Sequence, residues 1–128
     1  MTDATAARRI AAALPETEDR SGPDSLAFAV RGKQFAWTFQ EKVDGRGPRE
    51  PVLEVLAVRC TPEAKDMLLA SDPAKFFTTD HYRGFPAVLV RLAAVDESEL
   101  RELLVDGWRC QATKTMAKQY QAELDSEM

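Results

Sequence analysis

The chain has 128 residues, 45% hydrophobic and 30% charged, with a formal net charge of −4. That mixture fits one globular domain of ordinary size and excludes a disordered or low-complexity chain. No apolar run approaches the roughly 18–20 residues that span a bilayer, and Met1–Arg9 lacks the basic-then-apolar order of a signal peptide, so a cytoplasmic protein with no membrane partner is expected.

The elements follow from periodicity. Ala6, Ile10, Ala13 and Leu14 recur at helical spacing in an alanine-rich stretch, predicting a first helix over about 3–14. Pro15 closes it, and the polar run 16–24 reads as a loop. Leu26, Phe28 and Val30 alternate, as do Phe35, Trp37 and Phe39 after Arg31-Gly32-Lys33. That pattern predicts a β-hairpin with the three aromatics of its second strand on one core-facing side. Two glycines and two prolines make residues 43–51 a long basic loop, and 52–58 is a third strand.

Thr61-Pro62-Glu63 carries a helix start, with Thr as the cap and Pro in the first turn. That helix ends near Ser71-Asp72-Pro73, and Phe76-Phe77-Thr78 reads as a short strand. Ala87–Ala93 is apolar at nearly every position, which predicts a strand covered on both faces. Asp96 with Glu99 makes a capping-box start, followed by the stripe Leu100, Leu103, Leu104 and Trp108. Gly107 weakens this helix. Residues 1–112 are taken as one domain and 113–128 as a helical extension or tail, with the acidic run Glu123–Glu127 frayed. The order α-β-β-β-α-β-β-α is that of an α+β domain, an antiparallel sheet with helices on one side.

The chemistry-bearing residues are few. Cys60 and Cys110 are widely spaced, as expected of reduced core thiols rather than a bridge. With His81 as the single histidine, they do not make up the three or four ligands of a zinc site. No metal and no cofactor are expected. Charge is segregated: residues 31–49 carry a net +3, residues 81–95 a net +2, and the remainder −9. A local basic surface can therefore coexist with an acidic whole.

The densest group of functional side chains is His81-Tyr82-Arg83-Gly84-Phe85-Pro86, set directly onto the strand Ala87-Val88-Leu89-Val90-Arg91-Leu92. Gly84-Phe85-Pro86 reads as a turn with Phe85 anchored in the core. Apart from Asp80, no acid or nucleophile is fixed beside the histidine by a recognisable motif. A non-enzymatic protein is therefore expected.

That segment, together with Ala12-Ala13-Leu14-Pro15-Glu16, the hairpin from Phe28 to Ala36, Thr61-Pro62-Glu63, Asp72-Pro73-Ala74-Lys75-Phe76-Phe77, Asp96-Glu97-Ser98-Glu99-Leu100 and Trp108, resembles the MmcQ/YjbR family of small bacterial proteins. The resemblance covers roughly residues 5–112. It implies a frataxin-like (CyaY-like) fold and DNA as a partner, bound by two projecting β loops described as a double wing. Such wings would fall on the Arg31-Gly32-Lys33 turn and the 43–51 loop, with Arg31, Lys33, Lys42, Arg46 and Arg49 contacting phosphates and Arg83 and Arg91 extending the surface. Iron delivery, which the frataxin likeness raises, is not expected, because the first helix offers only Asp3. The plainer account of the loop cations is solubility. Trp37 is expected in the core rather than as a stacking platform. An alternative surface is a shallow pocket where His81, Tyr82 and Arg83 converge on a protein or small anion, against the simpler account that this loop is merely hydrogen-bonded to the sheet. A monomer is the expected state.

Overall fold

The computed structural model describes residues 1–42 and 49–126, with the side chains of Lys42 and Arg49 excepted. Its elements are α1 (Ala4–Ala12), β1 (Thr17–Asp19), β2 (Ala27–Val30), β3 (Lys33–Lys42), β4 (Arg49–Arg59), α2 (Pro62–Ser71), β5 (Phe76–Phe77), β6 (Ala87–Arg91), a 3-10 turn (Leu92–Ala94), α3 (Glu97–Gln111) and α4 (Lys114–Ser126). The strands form one antiparallel sheet in the order β1-β2-β3-β4-β6-β5. The α+β class read from the sequence is the class of the molecule.

Local signals placed the helix starts. Thr61 accepts from the Ala64 amide and Pro62 opens α2. Asp96 and Glu99 form the complete reciprocal capping box of α3, which satisfies two of the amides that a helix start leaves unpaired. α1 buries Ala7, Ile10 and Ala11, with Leu14 beyond its end. This stripe is rotated from the expected one, because Ala13 is exposed.

Long-range pairing corrects the loops. Residues 17–19 are a strand rather than loop, since they complete the free edge of β2 through Thr17 opposite Val30 and Asp19 opposite Phe28. Arg49, Glu50 and Pro51 open β4 instead of closing a loop. There β4 pairs only with β3, because β6 reaches no further than Val55, and a proline is tolerated where one side of a strand is unpaired. The last strand stops at Arg91. The acids Glu123 and Asp125 belong to α4 rather than to a frayed tail. The rest of the expected wing, including Arg46, lies outside the described residues.

The sheet has two unequal faces. Against the helices lies the main core, with Trp108, Phe28, Phe35, Leu100, Leu104, Val88 and Val90 all fully buried. The opposite face holds a smaller cluster of Phe39, Ala57, Tyr82, Ala87 and Leu89, flanked by Trp37 and Phe77. β6 is thus covered on both sides, as its composition demanded.

The three β3 aromatics do not share a face. The register slips between Ala29 opposite Gln34 and Phe28 opposite Ala36, so Phe35 is the extra residue of a β-bulge. Phe35 joins the helix-side core, while Trp37 and Phe39 point the other way.

Gly107 serves close packing. A Cβ there would meet Val58 Cγ1 at 3.0 Å and the carbonyl oxygens of Arg59 and Phe35 at 3.1 Å each. α3 therefore lies directly on β3 and β4, which outweighs the cost of a mid-helix glycine of roughly 1 kcal/mol. The two cysteines differ more than expected: Cys60 is buried, but Cys110 is exposed. Burial pushes the Cys60 thiol up to about 11, whereas Cys110, though also raised, meets solvent. Iodoacetamide at mildly alkaline pH is expected to label one thiol per chain, Cys110, with Cys60 reacting only after denaturation. Peptide mapping with two labels at equal rates would contradict that burial.

Candidate functional site

The loop after β5 crosses the sheet face that carries no helix, and a single lysine shapes it. Lys65, on α2, is only 6% exposed. Its Nζ donates to the carbonyls of Tyr82, of Phe85 at 2.7 Å and, more distantly, of Arg83 at 3.4 Å. Burial holds its pKa below the usual lysine range. Two turns, Tyr82 N–H to Thr79 O and Phe85 N–H to Tyr82 O at 3.0 Å each, complete the loop. Lys65 carries no signal in the sequence, because a lysine on an amphipathic helix is ordinarily a solvated position.

The loop so held lays its rings on the sheet. Tyr82 packs edge-on against Phe39 (centroids 5.8 Å apart), Phe85 (6.0 Å) and His81 (5.4 Å), and Phe85 against Trp37 (6.1 Å). Trp37 Nε1 donates to Tyr82 Oη at 3.0 Å. A phenol can accept and donate at once. The phenol borders a cleft of about 360 Å³ whose walls include Ser25, Trp37, Gln40, His81 and Tyr82.

Phe85 is 42% exposed, not anchored in the core, and Trp37 is only half-buried. Arg59 lies over the Phe85 ring at 5.0 Å and Arg91 over Phe77 at 4.0 Å. Neither guanidinium has a carboxylate partner among the described residues. Stacked arginines keep their charge and most of their donors free. Arg59 escaped the sequence reading; only its register opposite Ala87, beside the Phe85 turn, brings it here.

The expected site residues are dispersed. His81 and Tyr82 share the cleft wall, but exposed Arg83 pairs with Asp80 at 2.8 Å and lines a separate depression with Lys65 and Phe85. Arg91 belongs to the open face. Arg31, at φ 55°, forms the tight turn of the β2–β3 hairpin with Gly32, and its Nη1 reaches the Gln111 carbonyl at 3.4 Å. Gln111 in turn donates to the Gln34 carbonyl at 3.0 Å, so this turn rests on the end of α3. Lys33 is exposed beside it. Lys42 begins the opposite end of β3, about 30 Å away at ~3.3 Å per residue. The side chains of Lys42, Arg46 and Arg49 are outside the described residues. Among the described residues there is no group of three or more His, Cys, Asp or Glu that could hold a metal, and no helix long and apolar enough to cross a membrane.

Comparison with known proteins agrees with this architecture. The chain is 34% identical over 121 residues to uncharacterized proteins of Mycobacterium tuberculosis (Rv2570) and Mycobacterium bovis (Mb2600), covering 89% of this chain and 92% of each of those. The crystal structure of Deinococcus radiodurans protein DR2400, with a DUF419 domain, superposes with a TM-score of 0.65 at 21% identity, over 93% of this chain and 88% of that one. A Pseudomonas syringae protein structure gives 0.59 at 18% identity, over 81% and 94%. At those identities the likeness is one of fold. The YjbR family model matches residues 12–110, and with most of the domain so matched, the chain belongs to the YjbR family.

Proposed function

We propose that this protein is a non-enzymatic binding module that holds an anionic partner on its open sheet face, around Trp37, His81, Tyr82 and Phe85. The observation that carries the reading is the pair of stacked arginines, Arg59 over Phe85 and Arg91 over Phe77, without carboxylate partners among the described residues. Arg83 is paired with Asp80 and shares its depression with Asp66, so the cations that this reading rests on are Arg59 and Arg91, on a protein of net charge −4. Exposed aromatic edges beside free guanidiniums suit a partner offering both negative charge and flat or apolar groups. The cleft beside them contributes neutral polar groups and the Tyr82 O–H.

DNA binding through the β loops is the second reading, favoured by exposed Lys33 at the tip of a hairpin. One assay separates the two. Labelled single- and double-stranded DNA and a labelled oligoglutamate are titrated by fluorescence anisotropy across a salt series. The open-face reading expects salt-sensitive binding of at least one probe that Arg59→Glu plus Arg91→Glu weakens roughly tenfold, the effect of ~1.4 kcal/mol, and that Arg31→Glu plus Lys33→Glu leaves unchanged. The reverse pattern, with DNA alone bound, supports the hairpins. Flat anisotropy for every probe at low salt sinks both.

A further inference from the structure

The helix side of the molecule carries an independent surface of opposite character. Between α2 and α3 runs a groove of about 340 Å³. Its floor is Leu68, Phe76 and Leu103, and Met67 stands beside it 73% exposed. A large apolar side chain that open to solvent is unusual enough to mark an interaction site when it adjoins other apolar groups. Methionine suits such a site, since its flexible thioether can adapt to varied partner side chains.

The rim of the groove is acidic. Glu99, Glu102 and Asp106 follow one another at spacings of three and four along α3, so they share one helix face. Glu99 is held by Lys75 at 2.7 Å and Asp106 approaches Arg109 at 3.9 Å. Glu102 has no cation or hydrogen-bond partner among the described residues. The three carboxylates extend about 10 Å along the helix at ~1.5 Å per residue. Cations repeating at i, i+3 or i+4, and i+7 on a second helix would match that spacing.

We propose that the α2–α3 groove docks a basic amphipathic helix of a partner protein, whose apolar side chains meet Met67, Leu68 and Leu103 while its lysines or arginines face Glu102 and Asp106. Charge complementarity selects this occupant. The apolar floor supplies affinity, as in other helix-in-groove complexes, and the carboxylates set polarity and register. The groove lies between two helices, whereas the stacked arginines sit over Phe85 and Phe77.

The test uses a labelled helical leucine–lysine peptide, with its leucine–glutamate counterpart as control, titrated into the full chain. Binding sites are mapped from backbone amide shifts. The expected result is saturable one-to-one binding of the lysine peptide alone. The largest shifts should fall in 64–71 and 99–106. Affinity should drop roughly tenfold in Met67→Asp, and equally in Glu102→Lys plus Asp106→Lys. All three substitutions are at exposed positions, so folding is preserved and is checked by the unperturbed spectrum of the remaining residues. Shifts scattered over the whole surface, or affinity indifferent to Met67→Asp, would overturn the proposal. Self-association abolished by Met67→Asp would also overturn it, assigning the groove to a second copy of the chain.

Discussion

Trp108→Ala is expected to cost about 3–5 kcal/mol of folding stability, the range for deleting a buried aromatic ring. A domain of this size commands only about 5–15 kcal/mol in total, so the variant should unfold at a much lower urea midpoint or be partly unfolded in buffer. Trp108 of α3 is fully buried in the helix-side core, packs at a tilt of 59° against Tyr120 of α4 with centroids 5.3 Å apart, and donates from Nε1 to the Pro15 carbonyl at 2.9 Å. One side chain thus ties together the end of α1, the central helix and the last helix. Trp108→Phe separates packing from hydrogen bonding. It keeps most of the ring volume, loses the bond to Pro15, and should cost about 1–3 kcal/mol through an unsatisfied carbonyl. A Trp108→Ala midpoint within error of the unmutated protein would mean that α3 is not the keystone of this core.

Trp108 was legible in the sequence, as were α2 and α3, because their signals are local. Thr61-Pro62-Glu63 and Asp96 with Glu99 each satisfy helix-end amides within four residues, and the stripe Leu100, Leu104, Trp108 shows the period of a helix directly. The open face was not legible in the same way. One extra residue at Phe35 inverts every side chain after it, which moved Trp37 and Phe39 from the expected core face to the candidate site. The second wall of the cleft depends on β3 lying under a loop more than forty residues later, shown by the Trp37–Tyr82 hydrogen bond. The sequence singled out the His81 segment by its chemistry, but grouped Arg83 with it by proximity in the chain. The fold instead turns Arg83 toward Asp80 and brings in Arg59 across the β4–β6 ladder.

Lys65→Ala is expected to release the candidate site itself. The substitution leaves the Tyr82 and Phe85 carbonyls without their charged donor and opens a cavity under the loop. Charged hydrogen bonds are worth ~1.5–3 kcal/mol each, but desolvating the ammonium offsets part of that gain, so the net loss should be about 2–4 kcal/mol. Lys65→Met fills the space without the charge and should cost less globally while still freeing the loop. The pH dependence of stability has an expected sign. Burial holds the Lys65 pKa below its ordinary value of 10.5, so on raising the pH the native state loses this proton before the unfolded chain does. Between the lowered pKa and 10.5, the unfolded state binds more protons, and this residue's contribution to stability rises with pH. Lys65→Met lacks that contribution, so its stability deficit should widen over this window. The local readout is Trp37. In a Trp108→Phe background it is the sole tryptophan, and its emission should shift to the red in both Lys65 variants as Tyr82 swings away. Amide exchange at Tyr82 and Phe85 should accelerate in step, since both amides bond within the loop. Unchanged Trp37 emission and unchanged exchange in Lys65→Met would show that the aromatic packing alone holds the loop, and that Lys65 merely fills space beneath it.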